Sequence, residues 1–99
     1  MDYAVWQTTS IDALVETHNY PIPDFIEIDI EGGEIAVLNG AEMTISKHRP
    51  KLLVATHGDA EREFVLKFLD AHRYRYEILN ESATKGDTEI MAWPTQHTA

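Results

Sequence analysis

Twelve residues constrain this chain more than any others: Pro23-Asp24-Phe25-Ile26-Glu27-Ile28-Asp29-Ile30-Glu31-Gly32-Gly33-Glu34. Ile26, Ile28 and Ile30 share one side of an extended segment at period two, and Phe25, Glu27 and Asp29 share the other. A strand at 25–30 runs directly into two glycines. Ile35, Val37, Leu38, Ala41 and Ile45 then follow at helical spacing. The pattern predicts strand, tight turn and helix, with the helix running from Gly33 or Glu34 to Lys47. Gly40 falls inside that helix, as a close-packing point or as a break. A charged Glu27 facing a buried layer is costly unless it is paired or near an opening.

Pro50 stops the helix, and Lys51 to Thr56 reads as a nearly continuous apolar strand. Such runs are expected where helices cover both faces of a parallel sheet. Residues 25–56 therefore read as a βαβ unit with a right-handed crossover. His57-Gly58-Asp59 turns the chain, and Asp59 is placed to cap a helix over 60–72. In that helix Phe64, Val65, Phe68, Leu69 and His72 make an amphipathic stripe. Strands at 74–79 and 88–93, joined by a polar loop, form an antiparallel pair. Upstream, 3–8 is an extended lead-in. Thr9 with Asp12 is a capping box for a helix over 10–18, which Pro21 and Pro23 end. Residues 94–99 are a frayed tail. The fold class is α/β in one domain, and 99 residues lie near the lower end for a complete sheet covered on both faces.

Charge and composition remove several functions. The net charge of −9, from 17 acidic and 8 basic residues, disfavours nucleic acid and anionic membranes as partners. Lys47, Arg49 and Lys51 form the one loose basic group, read as a solvated helix end. Cysteine is absent, which excludes disulfides and thiolate chemistry and fits a reducing compartment. No signal peptide is visible and no apolar run exceeds four residues, so a cytoplasmic chain that spans no membrane is expected.

The candidate chemistry gathers at strand ends. Asp29, Glu31 and Glu34 place three carboxylates within six residues at the C-terminal end of a strand, where open α/β sheets bind ligands. They suit a general base, a hard-metal site or an acceptor for a ligand hydroxyl. Glu31 and Glu34 equally suit plain helix capping. Hard metals need further oxygen ligands, so no metal ligand set is assigned. His57 ends the neighbouring strand and, in a parallel unit, can approach Asp29 or Glu31 as base or ligand. It can equally be a simple hydrogen-bonding residue. His18, His48, His72 and His97 read as structural or exposed. The glycines, at 32, 33, 40, 58 and 86, draw neither a dinucleotide-binding nor a Walker loop. No serine sits in a nucleophile elbow.

The segment 23–34, followed by Val37-Leu38-Asn39-Gly40-Ala41, resembles the core of the FkbM-type S-adenosylmethionine-dependent methyltransferases. Thr9-Ser10-Ile11-Asp12-Ala13-Leu14 resembles that family's upstream Thr-x-Leu-Asp stretch. Arg49-Pro50 with the strand ending in His57-Gly58 resembles its next block, so the likeness covers about residues 8–70. The chain departs from the pattern at Gly33, where alanine is usual, and at Ala55, where many members carry Glu.

The resemblance implies a Rossmann-like class I methyltransferase fold, a mostly parallel sheet whose last strand is antiparallel. On that map 25–30 and 51–56 are the fourth and fifth strands and the final two follow. Residues 1–99 are then the C-terminal half of the domain, without the half that holds the cofactor. Asp29, Glu31, Glu34 and His57 match the family's motif beside the crevice and are the catalytic candidates. The implied donor is S-adenosylmethionine, and the implied acceptor is a hydroxyl of a sugar or natural product. The fragment alone is expected to be inactive. A non-enzymatic α/β interaction module is the alternative. Under either reading an exposed sheet edge favours a homodimer.

Overall fold

The computed structural model describes residues 10–29, 32–81 and 88–95. The lead-in at 3–8, Thr9, Ile30, Glu31, Gly86 and His97 lie outside them. Four helices and four strands follow in the order α1 (Ile11–Glu16), β1 (Phe25–Ile28), α2 (Glu34–Asn39), α3 (Glu42–His48), β2 (Lys51–Thr56), α4 (Asp59–Ala71), β3 (Tyr74–Glu81) and β4 (Thr88–Pro94).

The strands form one sheet in the order β1-β2-β4-β3. β1 and β2 are parallel, with Ile26 opposite Leu52 and Ile28 opposite Val54. β4 runs antiparallel to both β2 and β3. The expected parallel unit and antiparallel pair are therefore both present. β4 is inserted between β2 and β3, a placement that sequence order does not reveal.

Strand alternation decides where the core lies. Ile26, Ile28, Leu52, Val54, Ile90, Ala92 and Tyr74 project to one side of the sheet. There they pack with Leu38, Ala41, Ile45, Val65, Phe68 and Leu69 from the helical segments. On the other side Phe25, Glu27, Lys51, Arg75 and Glu77 are exposed, while Leu53, Ala55, Met91 and Trp93 are half-buried. Glu27 thus faces no buried layer among the described residues, which resolves its burial cost. Double coverage of β2, expected from its apolar run, is not found within the described part of the chain.

The helix expected over 34–47 is two helices. Gly40 does both things open to it. A Cβ there would stand 2.9 Å from the Cβ of Ser10, and the helix ends at its position. Ala41, the N-cap of α3, provides no side-chain cap. Asp12 of α1 supplies it from a distance, accepting from the N–H groups of Met43 (2.9 Å) and Thr44 (2.8 Å) and from the Thr44 hydroxyl (2.7 Å). The expected Thr9–Asp12 capping box involves Thr9, which lies outside the described residues. Ser10 is the N-cap of α1, accepting from the Ala13 N–H at 3.0 Å.

At the opposite end of the sheet from the glycine turns, Arg49 ends α3 with a left-handed φ of 58°. Its guanidinium donates to the carbonyls of His72 (2.7 Å) and Arg73 (2.9 Å) and lies over the Tyr74 ring. Arg49 is thus a tie between two helix ends, not part of a solvated basic group. No helix among the described residues is long and apolar enough to cross a membrane.

Candidate functional site

The carboxyl ends of the two parallel strands build the site. Asp29 directly follows β1 and His57 directly follows β2, and the side-by-side register of those strands brings the two turns together. Gly32 and Gly58 make the turns at φ values of +82° and +110°, a region that side-chain-bearing residues rarely adopt. Gly58 is the N-cap of α4 and Asp59 its first residue, so Asp59 is not the capping side chain.

Glu34 opens α2 with its side chain wholly buried. Its Oε2 stands 2.8 Å from His57 Nδ1, within hydrogen-bond distance. Its other oxygen, Oε1, is buried and accepts no hydrogen bond. Asp29 lies on the other flank of the imidazole, with Oδ1 3.8 Å from Nε2, too long for a direct hydrogen bond. Its side chain is 62% exposed, whereas that of His57 is 25% exposed.

Three of the four candidates, Asp29, Glu34 and His57, therefore stand together. Glu31, the fourth, lies outside the described residues. The structure adds Glu61, whose Oε1 accepts from the His57 backbone N–H at 3.0 Å. The third residue of a helix is well placed to reach back in this way, as in a capping box. Glu34, His57 and Glu61 each bring one potential ligand atom within 4.8 Å of the others. Sequence reasoning missed Glu61, although the His57-x-x-x-Glu61 spacing was visible. What separated it from the other acids of α4 was the turn geometry of Gly58.

The arrangement can hold a polar ligand between an exposed carboxylate and an imidazole while a buried carboxylate fixes the ring. It is also electronegative, which favours neutral or cationic groups over anionic ones. His72 lies elsewhere. It bridges the Phe68 carbonyl (2.9 Å) and Glu42 (3.1 Å), a structural contact. The cavities lined by Val15, Tyr20 and Lys47 and by Asp12, Asn39 and Met43 do not involve Asp29, Glu34 or His57.

Comparison with known proteins bears on the chemistry. Residues 1–76 match the family described as the methyltransferase FkbM domain. The crystal structure of Methyltransferase FkbM from Methylobacillus flagellatus KT superimposes with a TM-score of 0.62 at 28% identity, covering 75% of this chain and 20% of that one. The chain thus corresponds to about one fifth of that protein's length. No curated protein matches it.

Proposed function

The chain belongs to the FkbM methyltransferase domain family, and from that premise we propose that it is the acceptor-side, C-terminal portion of an S-adenosylmethionine-dependent O-methyltransferase. Its substrate is a hydroxyl group of a sugar or natural product. The observation that carries this reading is the close Glu34–His57 pair at the ends of two parallel strands, with Asp29 on the open side.

The residues present do not amount to a donor site. The sequence holds no glycine-rich phosphate or dinucleotide loop. The described strand ends offer carboxylates and an imidazole to a ligand. A bound donor would supply an electrophilic methyl carbon. This chain's own side chains supply the other half of the chemistry. Asp29 or His57 accepts the hydrogen of the acceptor hydroxyl and takes that proton as the oxygen attacks the methyl carbon. Glu34 keeps the imidazole in one orientation, which is where positioning gains its rate advantage. Glu31, which lies outside the described residues, remains a candidate by its place in the motif.

By this reading the chain alone transfers no methyl group, and its location is cytoplasmic, in keeping with the absence of cysteine. Calorimetric titration with S-adenosylmethionine tests it. The 99-residue chain should show no tight binding. Micromolar affinity would place a donor site within these residues and remove the proposal.

A further inference from the structure

Glu34, His57 and Glu61 bring potential ligand atoms close together beside a buried carboxylate oxygen that has no hydrogen-bond donor. We propose that they bind one divalent transition-metal ion. Acidic side chains near a helix start are common without an ion, so the case rests on two independent observations. The first is the compactness of a mixed donor set, one imidazole nitrogen and two carboxylates, whose ligand atoms lie within 4.8 Å of one another. Neighbouring ligands of one ion with bonds of about 2.1 Å are about 3–3.4 Å apart, so an inward movement of the side chains closes the set.

The second observation is Glu34 Oε1, fully buried and without a hydrogen-bond donor. Leaving a buried carboxylate oxygen unsatisfied is costly, and a cation beside it removes the cost. One nitrogen with two oxygens suits Mn²⁺ or Zn²⁺ better than Ca²⁺, which prefers an all-oxygen shell. Three protein ligands also leave coordination positions open. An acceptor hydroxyl bound there would give up its proton more readily. That use of the ion rests on the methyl-transfer reading, whereas the existence of the site does not.

The test is titration of the chelator-stripped chain with Mn²⁺, followed by electron paramagnetic resonance, and displacement of Mn²⁺ by Zn²⁺. No methyl donor enters the measurement, so its result is separate from that of the S-adenosylmethionine titration. Wild type should bind one equivalent saturably. Glu61→Gln retains the oxygen that accepts from the His57 N–H and removes the charge, so it should fold normally and bind at least about tenfold more weakly. His57→Gln should do the same, with circular dichroism checking that each variant is folded. The proposal is overturned by an absence of saturable Mn²⁺ binding in wild type, by folded Glu61→Gln and His57→Gln variants that bind as wild type does, or by Ca²⁺ binding as tightly as Mn²⁺.

Discussion

Two side chains do most of their work far from their own sequence neighbours. Tyr74 is buried, and its hydroxyl donates to the Pro50 carbonyl. Burial pushes its pKa up to about 12, partly offset by the nearby Arg49 guanidinium. The native state therefore favours the protonated phenol, whose unfolded pKa is near 10. That contribution is complete below pH 10 and is lost as pH rises from there to about 12. It amounts to about 2–3 kcal/mol on the alkaline limb. Chemical denaturation of Tyr74→Phe at a series of pH values should show a flatter alkaline decline, with about 1 kcal/mol lost at neutral pH for the missing hydrogen bond. At the site, His57→Gln and Asp29→Asn should lower methyl transfer at least about a hundredfold when the chain acts beside a donor-binding partner half. Thermal stability should hardly change for Asp29→Asn, because that side chain is largely solvated. A variant with full turnover would remove the residue from the chemistry.

At the scale of elements, the hinge between α2 and α3 is held by α1. Asp12→Ala should cost about 1–2 kcal/mol, the usual worth of a helix cap, measurable as a shift in urea midpoint. Gly40→Ala is a sharper test. Its φ of −77° is ordinary for any residue, so helix propensity alone predicts a gain. The close approach of Ser10 predicts a loss of about 1–3 kcal/mol instead. Adding Ser10→Gly should recover part of that loss, and additive effects in the double-mutant cycle would show that the two positions do not touch. The helix stripe of α4 and the alternation of β1 were legible in sequence because each reflects a local period set by burial on one side. The break at Gly40 was left open there, since what decides it is a residue 30 positions earlier.

For the whole molecule, the sheet ends at β1 on one side, and among the described residues nothing pairs with that free edge. An unpaired edge of alternating apolar residues invites a further strand. A homodimer through β1 is the expected solution state, checked by sedimentation or light scattering, and a stable monomer across the accessible concentration range would count against it.

The sequence by itself determined the strand and helix periods, the parallel unit around 25–56, and the family motif that made Asp29, Glu31, Glu34 and His57 candidates. All of these are written in spacings of a few residues. Only the tertiary structure decided that β4 enters between β2 and β3, that Asp12 caps a distant helix, and that Arg49 ties two helix ends. Each of these depends on which segments meet in space, and hydrogen bonds and packing between segments 20 or more positions apart leave no period in the chain to read.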